Sequence, residues 1–158
     1  MRTRLTAIAA LAVIAATLAA VAAAGPGART NQDVAIKLTD EPNGGGFRLT
    51  PLTPGTIRSD SGTVSFCCWT QRFITRNGQR IQVNNPQMTL TGNRGTLVAR
   101  NRIEWFDFPS GWLVTTGTWK VVRGTGDYAG LTGGGIAAGY SLANGNGRSQ
   151  FDGFLRAR

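Results

Sequence analysis

WKVVRGTGDYAGLTGGG, running from Trp119 to Gly135, is the stretch on which the fold turns. An apolar, β-prone run (Trp119, Val121, Val122) leads into Gly124-Thr125-Gly126-Asp127-Tyr128-Ala129, which matches a dinucleotide-binding fingerprint with Ala in the last place. That fingerprint works only where it opens a helix, because helix N-terminal amides and the helix dipole hold the pyrophosphate. The next residues, Gly130-Leu131-Thr132-Gly133-Gly134-Gly135, hold four glycines in six positions. Each glycine costs about 1 kcal/mol in a helix relative to Ala, so no helix follows. No Lys-Ser/Thr pair follows either, which removes a P-loop. The segment reads instead as a strand, one helical turn over Thr125–Ala129 stopped by Gly130, and a second strand. Tyr128 and Leu131 turn inward as a plug. Gly124, Gly126 and Gly130 are then geometric residues, and no nucleotide is expected.

Around this connection the chain carries short β-rich runs separated by turn signals, with no helical periodicity over three turns after residue 24. Val34–Leu38 is a first strand, EPNGGG (41–46) a loop, and residues 47–61, with Pro51, Pro54 and Gly55, an edge or irregular segment. TVSFCCWTQRFIT runs into Asn77-Gly78, the strongest short hairpin cue, and QRIQV continues beyond it. After Asn84-Asn85-Pro86 come MTLT, a tight Gly92–Gly95 turn and TLVARNRIEWFDF. Pro109-Ser110-Gly111 turns the chain into WLVTTGTWKVV, and the last strands are GGIAAGYSL and SQFDGFLRA. Roughly eight hairpin-linked strands result, without crossover helices.

Alternation assigns the faces. From Thr96 onward, Leu97, Ala99, Asn101, Ile103 and Trp105 form an apolar face with one polar intruder. Val98, Arg100, Arg102, Glu104 and Phe106 form a solvated one. Near the C-terminus Phe151, Gly153 and Leu155 share the inner face. In GGGIAAGYSL, Ile136, Ala138, Tyr140 and Leu142 oppose Gly135, Ala137, Gly139 and Ser141. A face that small suits the crowded interior of a closing barrel.

GTWKVVRGTGDYAGLTGGG closely resembles a segment of the allene-oxide-cyclase-like barrel family, which includes plant dirigent proteins and many secreted bacterial proteins. Gly124, Thr125, Gly126, Tyr128, Ala129, Gly130, Leu131, Gly133 and Gly135 fit its strand-to-strand connection. GTLVARNRIEW and SGTVSF look similar to secreted bacterial members, so the likeness covers roughly residues 60–155. The resemblance implies an all-β fold, an eight-stranded antiparallel β-barrel with an apolar lumen. It also implies chemistry in which reactive intermediates are steered through cyclisation or radical coupling, mainly by shape. It carries no functional residue onto this chain.

The N-terminus has a secretory layout. Arg2 and Arg4 precede an Ala-rich apolar run, Leu5–Ala24, that ends in Ala22-Ala23-Ala24 before Gly25-Pro26-Gly27. A membrane anchor is the alternative, but alanine is a weak membrane residue and the small-residue cleavage site is well placed. The expected organisation is a signal peptide over 1–24, a flexible lead over 25–33 and a barrel domain over 34–158. The mature protein would start near Gly25, or at Arg29, be secreted, and keep no membrane association. Without its 24-residue leader the 158-residue chain retains 134, a single-domain length. The 17 basic residues lose Arg2 and Arg4, leaving 15 against 8 acidic, a net +7. The arginines are scattered rather than clustered, so no specific nucleic acid is expected.

The chain has no histidine, which removes the Ser-His-Asp triad, the Cys-His dyad and His-ligated zinc. Its two cysteines cannot build a four-cysteine metal site. No metal and no cofactor are expected. Cys67 and Cys68 are adjacent: two free thiols, a vicinal disulfide at a bulge, and an intermolecular bridge are the open alternatives. No histidine is present to activate either sulfur as a nucleophile. Glu104 and Asp107, three apart, project to opposite strand faces and do not form an acid/base pair. The candidate lumen residues are Asn101, Trp105, Trp69 and Tyr140, with an unidentified small apolar ligand as the partner, and homo-oligomerisation stays open. Two functions follow. A lumen filled by side chains favours a binding or interaction protein. A continuous pocket with two or more convergent polar groups favours a cofactor-free cyclase, isomerase or steering protein.

Overall fold

The computed structural model describes residues 30–40 and 45–158; the leader and most of the flexible lead lie outside the described residues. The described chain is all-β, with strands β1 (Gln32–Asp40), β2 (Gly45–Pro51), β3 (Asp60–Cys67), β4 (Gln71–Arg76) and β5 (Gln79–Asn84) in its first half. The second half holds β6 (Gln87–Gly92), β7 (Gly95–Asp107), β8 (Leu113–Gly124), β9 (Leu131–Ser141) and β10 (Gly147–Ala157). Every pairing is antiparallel. Eight strands close into a barrel in the order β1-β10-β9-β8-β7-β6-β3-β2, with β4 and β5 as an added hairpin. Closure removes the edges that an open sheet would expose along these eight strands.

The hairpin is an extension of the wall. β7 faces β6 along its first half and β5 along its second, without a change of register: Gln87 lies opposite Arg100, Asn84 opposite Ile103, and Gln82 opposite Trp105. Asn85 and Pro86, expected to be a break, therefore continue one long strand, and the Asn101 amide donates to the Pro86 carbonyl at 3.0 Å. The slip falls on the other arm. Between Cys67↔Gln87 and Gln71↔Asn84, three residues (Cys68, Trp69, Thr70) face two. This is a β-bulge, with Cys68 at φ 58°. It splits the expected single strand TVSFCCWTQRFIT into β3 and β4. The Asn77-Gly78 turn, at φ 52° and 79°, is the primed turn the dipeptide favours.

Two further readings of the sequence need correction. Residues 47–61 are not irregular throughout: Gly45–Pro51 is an interior barrel strand whose Phe47 and Leu49 are buried. Pro51 is its last residue, where a missing N–H costs little. The outer face of β7 is not wholly solvated either. Glu104 is buried because Arg76 and Arg102 close over it, and Val98 is buried where the β7–β8 register shifts.

One end of the barrel is sealed by the Gly-rich connection between β8 and β9. A short 3-10 turn, Gly126–Tyr128, drops Tyr128 into the lumen, where it is 1% exposed, and Leu131 follows it into the core. Gly126 (φ 58°) and Gly130 (φ 69°) hold the left-handed conformation that L side chains disfavour. A Cβ on Gly124 would enter the Tyr128 backbone and Cβ. The Tyr128 hydroxyl donates to Asp60 Oδ2 at 2.8 Å. The same carboxylate accepts the amides of Ser61 (2.9 Å), Asn93 (3.1 Å) and Arg94 (3.3 Å). Burial opposes the charge on Asp60, but the bonds from Tyr128, Ser61, Arg94 and Asn93 outweigh it and hold the carboxyl below its usual range. One buried carboxylate thus ties the start of β3 to the β6–β7 turn and the plug.

Above the plug, Trp119 is buried in the barrel core. It stands on β8, opposite Gly135 of β9, and its indole N–H reaches the Asp152 carbonyl on β10 at 3.3 Å. A Cβ on Gly135 or Gly153 would run into the backbone of the paired strand, at the Asp152 and Gly134 carbonyls, so these glycines let β9 and β10 approach closely. This is what the small face of β9 provides.

Candidate functional site

Beyond Trp119 the lumen opens. A cavity of about 480 Å³ occupies the half of the barrel opposite the plug. That volume lies within the ~300–1,000 Å³ range of small-molecule sites. Ile103, Ala137 and Phe151, a cross-strand row on β7, β9 and β10, form its deep wall. Val64, Trp105, Leu113 and Thr115 line it higher up. The bulge supplies the rim. With Cys68 left-handed, the chain turns so that Trp69 meets Trp105 edge-on, centroids 5.9 Å apart at 83°, and Phe66 at 6.2 Å.

All four residues read from the sequence border this cavity, but in different ways. Asn101 is inward, on the face shared with Ile103, and is 1% exposed. Trp105 is partly buried against the core. Trp69 is half-exposed at the rim. Tyr140 departs from the lumen placement expected of it. It belongs to the outer face of β9, with Ile136, is 41% exposed, and stacks on Trp112 (6.1 Å, 22°) to form part of the mouth. Strand alternation already put Tyr140 opposite Ala137, so the structure follows the face pattern.

Asn101 is the anomaly of the site. Neither its Nδ2 nor its Oδ1 has a hydrogen-bond partner. The neighbours are spoken for. Pro86, opposite on the adjacent strand, has no N–H, and its carbonyl takes the Asn101 main-chain amide. Trp119, opposite on the other side, gives its N–H to Asp152. Buried amide groups left this way cost about 1–3 kcal/mol each. Asn84 Nδ2 on β5 is also unpartnered, but Asn84 Oδ1 accepts from Gln82 at 3.2 Å and the residue does not line the cavity.

Among the described residues the cavity wall carries no Asp, Glu, Lys or Arg. Its polar side chains are Asn101, Thr115, Ser65, Ser141 and Ser149, with Tyr140 at the mouth. Glu104 points outward instead. It takes two bonds from Arg76 (2.9 and 3.0 Å) and one from Arg102 (3.1 Å). The Arg76 bonds hold its carboxyl below the usual range against burial, with Arg102 adding to them. Asp107 is exposed on the other face, so the two carboxylates stay apart.

Cys67 and Cys68 are free, exposed thiols beside the rim. The neighbouring Cys68 thiol pushes the Cys67 thiol up, away from thiolate.

Comparisons with protein-family models, with curated proteins and with solved structures find no match. The chemistry of the site therefore rests on its own residues. Sequence reasoning missed Asp60, the Arg76–Glu104 pair, Thr115 and Trp112. For Thr115 the signal was there: it alternates with Leu113 and Gly117 on the strand that also presents Trp119. For Asp60 there was none, since its partner Tyr128 lies 68 residues away.

Proposed function

We propose that this protein is a secreted barrel of the allene-oxide-cyclase-like superfamily that binds a small, mainly apolar ligand in its open half. The observation that carries the binding reading is the cavity of about 480 Å³, walled by Ile103, Phe151, Trp105 and Ala137 and opening between exposed aromatic rings. An apolar molecule entering it leaves water at about 25 cal/mol per Å² and meets preformed walls. The superfamily reading is supported by the motif around Tyr128, which joins neighbouring strands of an eight-stranded antiparallel barrel. Export is supported by Arg2, Arg4 and the Ala-rich run to Ala24.

The lumen is filled by side chains at the plug and open at the mouth, so it is not the filled lumen that the sequence reading tied to an interaction protein alone. Its mouth half is continuous and carries several polar groups. That feature favours an additional reading, in which the cavity steers a reactive intermediate by shape and desolvation, with Thr115 as a polar contact.

The test of binding is titration with an uncharged apolar fluorophore, N-phenylnaphthylamine. Saturable blue-shifted emission is expected from the parent protein. It should be lost in Ala137→Phe, which fills the deep wall, while the circular dichroism spectrum stays β-sheet. Equal binding by both proteins, or none by the parent, would remove the cavity as a ligand site. Native mass spectrometry of protein recovered from the medium of the exporting cells would then name the natural ligand. N-terminal sequencing of the same material checks the start near Gly25.

A further inference from the structure

We infer that the outer wall of β7 and β8 is a second binding site, separate from the cavity, that takes a phosphate monoester on Arg100, Arg102 and Lys120. The inference stands whether or not the cavity holds a ligand.

Scattered along the sequence, these cations are gathered by strand register. Arg100 on β7 lies directly opposite Lys120 on β8, and both are exposed. Like charges facing each other across two strands, about 5 Å apart at Cα, destabilise a sheet. The ion pairs among the described residues engage Arg76, Arg94 and Arg102, so this facing pair has none. Arg102 follows on the same face of β7, about 7 Å along the strand. Its one carboxylate, Glu104, is shared with Arg76.

A bulge adds a fourth cation to the face. Ala99 pairs with Val121 and Val98 with Arg123, which leaves Val122 as the extra residue. On a regular strand Arg123 would share the inward face of Val121. Here Val121 is buried and Arg123 is exposed beside Val122.

No acid lies next to the facing pair. Its outer-face neighbours are Gln87 on β6, Gly134 on β9, Val98 and Arg102 along β7, and Thr118 and Val122 along β8. The other facing pair of cations in the described barrel, Lys37 opposite Arg48, has Asp152 diagonal to it. The β7–β8 pair therefore lacks a counter-charge that the protein itself could supply.

The shape and the donors name the class of ligand. An open groove of about 430 Å³ runs over the pair, and Arg100, Arg102, Lys120, Thr118 and Asn85 line it without any Asp or Glu. A phosphate monoester carries close to two negative charges at pH 7 and three acceptor oxygens. Guanidinium forks grip such oxygens two at a time, and the lysine adds a compact charge. A carboxylate or a phosphodiester brings only one charge to the same three cations. Exposed Val122 and Ile136 flank the pair and offer contact to the remainder of the ester. The same monoester chemistry occurs in soluble phosphate esters and in the headgroup of phosphatidate.

The experiment is a two-dimensional amide NMR titration of the full mature protein at low ionic strength, with phenyl phosphate and its methyl diester as probes. Phenyl phosphate should saturate shifts over residues 98–102 and 118–123, binding about fivefold tighter than the diester, as expected for one more exposed charge pair. Arg100→Gln and Lys120→Gln should each weaken it about fivefold, while Lys37→Gln stays within about twofold of the parent. Without any ligand, Lys120→Gln should raise the urea midpoint, because it removes a facing like charge. Equal binding of monoester and diester, shifts spread over the whole surface, or an equal loss in Lys37→Gln would reduce the effect to overall positive charge and overturn the site. Absence of saturation would overturn it as well. Should Arg100→Gln not fold, Lys120→Gln against Lys37→Gln decides the question. Sedimentation with vesicles separates the sources. Binding to phosphatidylcholine vesicles containing phosphatidate, but not phosphatidylglycerol, and lost in Lys120→Gln, supports the site with a lipid headgroup as its ligand. Saturable phenyl phosphate binding without sedimentation supports it with a soluble ester.

Discussion

Removing one oxygen from the plug should reveal how the sealed end is held. In Tyr128→Phe the ring stays in the lumen, and the loss is confined to the hydroxyl that donates to Asp60 at 2.8 Å. Asp60 keeps three main-chain donors, so the carboxylate is weakened rather than abandoned. A buried hydrogen bond to a charged group contributes about 1.5–3 kcal/mol, and we expect a loss near ~2 kcal/mol at pH 7. The pH profile carries the sharper test. The Asp60 carboxyl is held below its usual range in the fold, so its stabilisation is full above the unfolded pKa of about 3.9 and is lost as pH falls through the lower folded value. Burial first, and the hydrogen bond to Asp60 second, push the Tyr128 phenol up. Its stabilisation is therefore full below the unfolded value of about 10 and is lost as pH rises through the higher folded value. The difference between parent and Tyr128→Phe should form a plateau between these limits and narrow on both sides. Urea melts at several pH values, followed by circular dichroism, give that curve. A flat difference across pH, or none at neutral pH, would refute the Asp60–Tyr128 account of the plug.

Other outcomes follow from the same geometry. Gly130→Ala should destabilise by about 1–2 kcal/mol through backbone strain alone, because the space around its Cβ is open. Gly126→Ala should cost about 3 kcal/mol or more, since its Cβ also meets the Arg94 carbonyl; comparable urea midpoints for the two would contradict this. Glu104→Gln removes the twofold Arg76 contact at a site exposed on the arginine side, so its global cost should stay near ~1 kcal/mol. Hydrogen exchange should nonetheless quicken across residues 71–84, because that ion pair ties the hairpin to β7. Cys67 should alkylate at neutral pH more slowly than a free cysteine despite its exposure, because the adjacent thiol disfavours the thiolate. Peptide-resolved mass spectrometry of iodoacetamide labelling would read this.

Which parts of this molecule were legible in the sequence follows from how local their causes are. The Gly124–Gly135 connection was readable because a left-handed residue at 126 and 130 and a crowded site at 124 each call for glycine at one position. Asn77-Gly78 was readable for the same reason. Alternation along β7 by itself puts Asn101 and Trp105 on one face, the lumen side. β2 was hidden because Gly45, Gly46 and Pro51 dilute a seven-residue strand whose burial comes from β1 and β3. The bulge at Cys68 was hidden because an extra residue is defined only by the register of the opposite arm. Asp60 was hidden most completely: its donors come from Tyr128, Asn93 and Arg94, brought together only by barrel closure.

The division of the lumen explains why stability and ligand binding should separate along the barrel axis. The largest fully buried side chain, Tyr128, lies at the plug, and Leu97, Leu155 and Val34 pack in the same half. Exposed Phe66, Trp69 and Tyr140 border the open half, and exposed Trp112 stacks on Tyr140. Truncating a core residue at the plug removes buried contacts and leaves a void, at about 2–5 kcal/mol. Truncating Trp69 or Trp112 removes surface that is already half in water, so the fold loses far less. Asn101 marks the boundary. Below it Trp119 fills the lumen; above it the cavity begins, and its unpartnered amide is a stability cost that a close-packed apolar residue would avoid. A protein selected only for a stable barrel would gain from Leu at that position. Asn101→Leu should therefore raise the urea midpoint, and a midpoint that stays the same or falls would refute the reading of this amide as unsatisfied.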